Sequence, residues 1–146
     1  LKLPSAWKKV IPQLVLHHDD ILPRSLEAIF RLRITEGWSD EWVRMLFRVQ
    51  YCDIMAHSSK GRQRLERLKA SQAFYEEQTA SRPLSLKELA IDGRDIMTYT
   101  GLRNRQISQA LQAVLEYAWY HPEKNNRLDL LTFVLRSLPR LEGGMA

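Results

Sequence analysis

The segment at 84–102, LSLKELAIDGRDIMTYTGL, holds the acidic residues that come closest to a pattern able to do chemistry. Asp92 and Asp95 lie on either side of Gly93, where an apolar helical rhythm begins. Two carboxylates at this spacing could serve general acid–base catalysis, but they are also the groups that cap the free N–H groups of a helix start. The neighbourhood supplies no further catalytic or metal-binding group. We therefore interpret Asp92 and Asp95 as parts of a structural turn.

A second candidate for chemistry is the run HHDD at 17–20, because imidazole and carboxylate groups are common metal ligands. Four adjacent residues cannot all converge on one ion, and no other His and Asp residues are spaced to complete a site. Cys52 lies in an apolar helical stretch, which favours a buried, unreactive thiol over a nucleophile. The sequence therefore predicts no catalytic residue, no metal site and no resident cofactor. Because Cys52 is the only cysteine, a disulfide within the chain is excluded.

The apolar periodicity around these residues is helical along most of the chain. The segment SDEWVRMLFRVQYCDIMA predicts a helix that Ser39 caps, with Trp38 placed to pack onto Val43. The apolar stripe predicted for this helix consists of Trp42, Met45, Leu46, Val49 and Ile54. Further helices in the first half of the chain are predicted near residues 7–16, 23–37 and 60–79. No alternating pattern of useful length appears, so a β-sheet is not expected.

Turn signals divide the second half of the chain. The run SRPLS at 81–85 breaks the periodicity, and Ser85 with Glu88 forms a capping box that opens the next turn. Gly93 and Gly101 lie in the turns IDGRD and TGLRNR, where the backbone must reverse or take a positive φ. Asp92, Gly93, Asp95 and Gly101 are therefore the predicted structural turn residues.

Two more helices complete the predicted fold. The first ends at His121, and Asn126 is placed to cap the second. Their predicted apolar positions are Ile107, Ala110, Leu111, Val114 and Ala118, followed by Leu128, Leu131, Val134 and Leu135. The whole pattern predicts an all-α, irregular helical bundle. A helical body at 1–80 is followed by a small helical tail at 81–146, with the boundary near Ser81 to Ser85.

Composition and charge limit the function further. The chain has 146 residues, 45% of them apolar, with four Trp, which is enough to build a core. The net charge of +5 and the pI near 9.6 permit a polyanionic partner without requiring one. No secretory or membrane-spanning run is visible, which favours the cytosol. The chain begins at Leu1 without Met and is short for an enzyme with a large substrate, so we expect a part of a longer protein.

A family resemblance follows from several motifs in order. The runs LKELAIDGRDIM, TGL and ISQALQAVLEYAWYHPEKNN resemble the carboxy-terminal region of bacterial class II CCA-adding tRNA nucleotidyltransferases. That family carries an IDG-x-D-L turn, a turn G-(I/L)-x-x-G-x-x-(I/L)-G that enters a helix, and a closing (D/H)P-x-x-N. Upstream, VQYCDIMA is similar to a helix of the family's body, and the similarity spans roughly residues 40 to 135. It departs at the second turn, where the family's Gly-Pro and Ile-Gly are replaced by Asn104, Arg105, Ile107 and Ser108.

The resemblance implies that catalysis and tRNA binding are carried out by different parts of a longer enzyme. In this family an amino-terminal head carries paired catalytic carboxylates, magnesium ions and the pocket that selects CTP or ATP, whereas a helical neck, body and tail hold the tRNA acceptor stem and elbow. This chain is similar to the body and tail, and it contains none of the head motifs. We therefore expect a tRNA-binding part that is inactive alone. Its expected partners are tRNA and the catalytic head domain of the same protein.

The first cationic candidate for RNA contact is a helical stripe. KGRQRLERLK places Lys60, Arg64 and Arg67 on one helical face, at spacings that could follow phosphates. The alternative is a solvated surface helix, because basic helix faces are common in basic domains.

Two helix starts are the remaining candidates. Arg103, Arg105 and Gln106 open a helix, where free N–H groups and the positive end of the dipole favour a phosphate. Lys124 and Arg127 flank a second polar start, although Asn126 is explained as a cap. The competing reading of the whole chain is a basic helical protein–protein interaction module without an RNA role, in which these cations pair with an acidic partner. A stand-alone enzyme that uses Asp92 and Asp95 is the least supported reading.

Overall fold

The computed structural model of this chain describes residues 12–14, 16–17, 20–57 and 61–143, with the side chains of those up to 138. All regular secondary structure in these ranges is helical, which confirms the predicted all-α fold. Most of the helix predicted near residues 7–16 lies outside the described residues. The chain divides into two compact units, Leu1–Gln78 and Thr79–Ala146. That these units are the predicted body and tail stays a prediction.

Among the described residues from position 20 onwards, the first unit, Leu1–Gln78, contains two helices and most of a third, which ends at Ser81. Helix α1 spans Leu26–Phe30 and continues as a π-helical turn over Arg31–Thr35, α2 spans Asp40–Ala56, and α3 spans Gly61–Ser81. The hydroxyl of Ser39 accepts a hydrogen bond from the backbone N–H of Trp42 at 3.1 Å, which confirms the predicted cap of α2. Ser25 caps α1 in the same way, through the N–H of Ala28.

The buried face of α2 differs from the predicted stripe. Its buried residues are Val43, Leu46, Phe47, Gln50 and Ile54. Of the predicted stripe, Val49 is exposed, and the thiol of Cys52 is also exposed, so the prediction that it is buried was wrong. Cys52 lies about 200° around the helix from buried Gln50, since successive residues turn by about 100°. Helix α2 carries apolar residues on several of its sides, so its sequence does not determine which side is buried. Packing against the neighbouring helices decides this.

Tyr75 of α3 lies at the centre of a polar network that the sequence reading did not identify. Its hydroxyl donates to Asp40 Oδ1 at 2.8 Å and accepts from a guanidinium N–H of Arg33 at 3.0 Å. Arg44 donates to the other Asp40 oxygen at 2.7 Å, and to Glu76 at 3.0 Å. The ring of Tyr75 is fully buried, and burial together with the bond to Asp40 raises its pKa to about 12. The network therefore joins the π-helical turn, α2 and α3.

The second unit, Thr79–Ala146, contains helices α4, Gly93–Thr100, α5, Arg105–Tyr120, and α6, Arg127–Gly143. Short 3-10 turns at Leu86–Glu88 and Pro122–Lys124 connect them to the rest of the unit. The predicted capping box of Ser85 and Glu88 is confirmed, because Glu88 accepts from the N–H of Ser85 at 3.1 Å.

Asp92 and Asp95 form a second capping box at the start of α4. Asp92 accepts from the N–H of Asp95 at 3.0 Å, and Asp95 accepts from the N–H of Asp92 at 3.1 Å. At the other end of α4, Gly101 takes a φ of 74°, which only glycine adopts at little cost. The predicted structural role of these three residues is confirmed.

The core of the second unit is built where α4, α5 and α6 meet. Its buried members are Ile91, Ile96, Leu102, Ala110, Val114, Ala118, Leu130 and Val134. The predicted apolar face of α5 is confirmed, with Ile107 and Leu111 packed at the edge of this core. On α6 the prediction was partly wrong, because Leu128 and Leu135 are exposed and Leu130 is buried instead. The tilt of α6 against its neighbours selects a face that periodicity alone does not distinguish.

Gly93 has a different role from the one expected. It is the first residue of α4 and does not take a positive φ, which was one of the two roles predicted for a glycine here. A Cβ atom at this position would lie 3.1 Å from Cγ2 of Ile107 and 3.8 Å from Cδ1 of Leu111. The absence of a side chain therefore allows the start of α4 to pack closely against α5.

Replacement of Gly93 by Val should destabilise the protein by about 1–3 kcal/mol, because the added atoms overpack a close helix–helix contact. Thermal unfolding followed by circular dichroism measures the effect. Thr98→Val is the matched control, since Thr98 is exposed on the same helix and should change the melting temperature little. An unchanged melting temperature for Gly93→Val would show that Ile107 moves aside without cost.

Candidate nucleic-acid interface

The start of α5 is an exposed cationic turn of the second unit. Arg103, Asn104 and Arg105 are all exposed, and neither arginine has an ion-pair partner among the residues that the structure describes. Asn104 takes a φ of 55°, the one positive φ of a non-glycine residue in the described ranges. Its ψ of −122° lies outside the αL region and matches the first central position of a type II′ turn, where Asn is among the common residues. The exposed guanidinium groups of Arg103 and Arg105 therefore belong to the residues on either side of Asn104, the residue with the positive φ.

This helix start is also incompletely capped. The side chain of Asn104 makes no capping hydrogen bond, whereas Asp92 caps α4 and Asn126 caps α6 through the N–H of Asp129 at 2.9 Å. The amide oxygen of Gln106 turns back to accept from the N–H of Arg103 at 3.3 Å. The backbone N–H groups of Gln106 and Ile107 donate to the carbonyls of Arg103 and Asn104, so the positive end of the helix dipole and the two guanidinium groups are what would attract an anion here. Among the three α-helices of this unit, α5 is the one without a side-chain cap.

Arg127 was predicted to contact RNA, but its guanidinium is already engaged within the second unit. It donates to Asp95 Oδ1 at 2.9 Å and to the hydroxyl of Tyr99 at 3.3 Å, and it lies 5.5 Å from the centre of the Tyr99 ring. Lys124 is exposed in the 3-10 turn before α6. RNA contact by Lys124 and Arg127 stays a prediction, and for Arg127 it would compete with the pairing to Asp95.

One carboxylate at the start of α4, that of Asp95, is held in its charged form. A hydrogen bond from the backbone N–H of Asp92, together with the guanidinium of Arg127, holds the pKa of Asp95 below its usual value. A carboxyl with a lowered pKa is a poor general acid at neutral pH. The geometry of Asp92 and Asp95 therefore suits a helix cap that also anchors Arg127.

The basic stripe predicted in the first unit is rearranged in the structure. Lys60 lies outside the described residues, and a guanidinium nitrogen of Arg64 is 3.8 Å from Asp53 Oδ2 on α2. Arg67 is exposed and lines an open hollow of about 630 Å³ together with Arg24. The remaining lining residues are Gln63, Glu66 and Ala70. Arg64 therefore lies close to α2. Arg67 shares its hollow with Arg24, a cation that is not part of the predicted stripe.

Arg24 is a candidate that sequence reasoning missed. It lies in the segment before α1, far from Arg67 in the sequence, and it is exposed. Neither arginine has an ion-pair partner among the described residues. Two unpaired guanidinium groups that face one hollow can bind a phosphate through several N–H groups. No periodic pattern could have found Arg24, since only the fold of the first unit brings it near α3.

The described residues give no sign of a metal centre. Within them, no group of three or more His, Cys, Asp or Glu side chains is placed to hold a metal ion. His17 Nδ1 lies 3.3 Å from Asp20 Oδ2, a local pair, while residues 18 and 19 are outside the described ranges. The prediction that HHDD binds no metal stays a prediction. None of the helices in the described part of the chain combines the length and the apolar character needed to cross a membrane.

The fold and the surface together define an all-α chain with exposed arginine clusters in each of its two compact units. Comparison of the chain with known protein families, with curated proteins and with solved structures gave no match.

Proposed function

We propose that this chain binds tRNA through the phosphate backbone, as the non-catalytic carboxy-terminal part of a CCA-adding tRNA nucleotidyltransferase. The observation that carries the proposal is the start of α5, where Arg103 and Arg105 are exposed and have no ion-pair partner among the described residues, beside a helix end without a side-chain cap. Arginine and helix N-termini are the groups that bind phosphate without reading sequence. The motif resemblance then indicates that the nucleic acid is tRNA.

The hollow formed by Arg24 and Arg67 supports the same proposal from the first unit. A polyanion engages several cations at once, and each neutralised phosphate releases about one condensed counterion. Two separate arginine clusters therefore favour a long polyanionic ligand over a single small anion. The proposed partners are tRNA and a catalytic head domain of the same protein, and the proposed compartment is the cytoplasm.

In this proposal the head domain performs the chemistry. Asp92 and Asp95 bond each other's backbone N–H groups in a helix cap, and Asp95 also accepts from Arg127, so both carboxylates are already engaged. The chain positions the acceptor stem and elbow, while the head would supply magnesium and select CTP and ATP. Whether the complete enzyme adds CCA, CC or A would be decided in that head.

The chain should bind tRNA but should not extend it. We expect saturable binding of tRNA, or of an acceptor-stem minihelix, with an affinity that falls steeply as salt rises, by a log–log slope of several units. In the same samples, labelled CTP or ATP with magnesium should not be incorporated. Binding is measured by fluorescence anisotropy and incorporation by gel electrophoresis. Turnover by the chain alone would overturn the non-catalytic assignment, and a lack of salt-dependent binding would favour the protein–protein interaction module.

A further inference from the structure

The second unit also carries a hollow whose chemistry is opposite to that of the arginine turn. It lies between α5 and α6 and has a volume of about 560 Å³. Its lining residues are Ala113, Glu116, Tyr117, Tyr120, His121, Phe133 and Ser137. Four of these seven side chains are aromatic rings, counting the imidazole of His121. Such a concentration of rings at an open surface is typical of a recognition site.

The rings are fixed in place by the core beneath them. Tyr117 stacks on Phe133 with ring centres 4.2 Å apart and an angle of 12° between the planes. Both rings are half-buried and pack against the core of the second unit. Tyr117 also contacts His121, with ring centres 5.0 Å apart and the planes tilted by 44°. A ligand would therefore meet a preorganised aromatic wall and would not have to order it.

The charge of the lining is acidic, in contrast to the net charge of +5 of the chain. Of the described residues that line the hollow, Glu116 is the one carboxylate, and none is Lys or Arg. The imidazole of His121 is itself 3.8 Å from the carboxylate of Glu123. A phosphate would meet Glu116 without a compensating arginine or lysine from this lining. A cation would instead gain from both the carboxylate and the ring faces.

We propose that this hollow binds the guanidinium group of an arginine side chain from a partner protein. Guanidinium is planar, stacks on aromatic rings, and donates two parallel N–H groups to a carboxylate, so the rings and Glu116 suit it together. A nucleobase would also stack on these rings, but the phosphates attached to it would be repelled by Glu116. The site is independent of the proposed tRNA surface.

The test titrates the whole chain with N-acetylarginine amide and follows the ring protons of the lining residues by NMR. We expect saturable shifts at the rings of Tyr117, Tyr120 and Phe133. N-acetylcitrulline amide has nearly the same shape without the charge, and it should bind at least about fivefold more weakly. Glu116→Gln should weaken arginine binding by about fivefold and reduce the difference between the two probes. Glu116 is exposed, so this variant should keep its fold, which the amide spectrum checks.

The controls separate this site from general electrostatics and from RNA binding. Glu41→Gln removes the same charge at an exposed position outside the hollow and should leave arginine binding unchanged. The proposal is overturned if arginine and citrulline bind equally, if Glu116→Gln has no effect, or if neither probe shifts the rings. Stronger binding of adenosine to the same rings would also overturn it and would identify a base-stacking site. Salt-dependent binding of tRNA should be unaffected by Glu116→Gln, so either proposal can fail without the other.

Discussion

Replacing Arg103 and Arg105 together by Ala should weaken tRNA binding by about tenfold or more at about 100 mM salt, for all tRNAs alike. A charge-assisted hydrogen bond contributes about 1.5–3 kcal/mol, and about 1.4 kcal/mol corresponds to a tenfold change in affinity. The salt slope should fall by about one to two, because each lost phosphate contact leaves about one counterion bound. Neither arginine has an ion-pair partner among the described residues, so their removal should not leave a buried charge.

The measurement is the affinity at several salt concentrations, in the chain and in any longer protein that contains it. The matched control is Arg48→Ala with Arg136→Ala, which removes the same charge from exposed positions outside both arginine clusters. This control should change the slope less than the variant at the α5 start. If both pairs reduce affinity equally, the effect arises from net charge, and the start of α5 is not a site.

The same salt-dependence experiment can be made independently with Arg24 and Arg67 of the first unit. Arg24→Ala with Arg67→Ala should reduce the slope by a similar amount, provided that this hollow also contacts phosphate. Arg64→Ala should have a smaller effect on binding, because Arg64 already lies near Asp53. If Arg64→Ala reduces the salt slope more than Arg24→Ala, phosphate contact by the stripe predicted from the sequence is favoured over contact by the hollow of Arg24 and Arg67.

Replacing Tyr75 by Ala should destabilise the protein by about 3–5 kcal/mol, a large part of the stability of a typical domain. The ring is fully buried, and its centre lies 5.7 Å from that of Phe47 on α2. Loss of the ring leaves a cavity, and loss of the hydroxyl removes a partner from both Arg33 and Asp40.

Tyr75→Phe separates the two contributions. It keeps the ring and removes the hydroxyl, so it should cost about 1–3 kcal/mol. Urea denaturation measures both variants. Phe74→Ala is a neighbouring control on α3, where the side chain is half-buried and should cost less than Tyr75→Ala. If Tyr75→Phe is as stable as the unchanged protein, Arg33 and Asp40 find equivalent partners, and the network does not stabilise the first unit.

Most of the local structure of this protein could be predicted from its sequence. All four predicted helix caps join an N-cap residue to a partner three positions later: Ser39 with Trp42, Ser85 with Glu88, Asp92 with Asp95, and Asn126 with Asp129. The apolar face of α5 was also predicted correctly. Caps and periodicity depend on residues within one or two turns of each other, so a linear reading contains the information needed.

The tertiary structure alone decided which groups from distant parts of the chain meet. Tyr75 bonds Arg33 and Asp40, which are 42 and 35 residues away, and Arg127 bonds Asp95 across 32 residues. Arg24 joins Arg67 in one hollow, whereas Arg64 turns towards Asp53. Gly93 is required by its approach to Ile107 and not by its own backbone angles. These contacts depend on how the helices tilt and on which faces they bury. Packing between helices determines the tilt and the buried face, whereas periodicity determines only the spacing of residues along one helix.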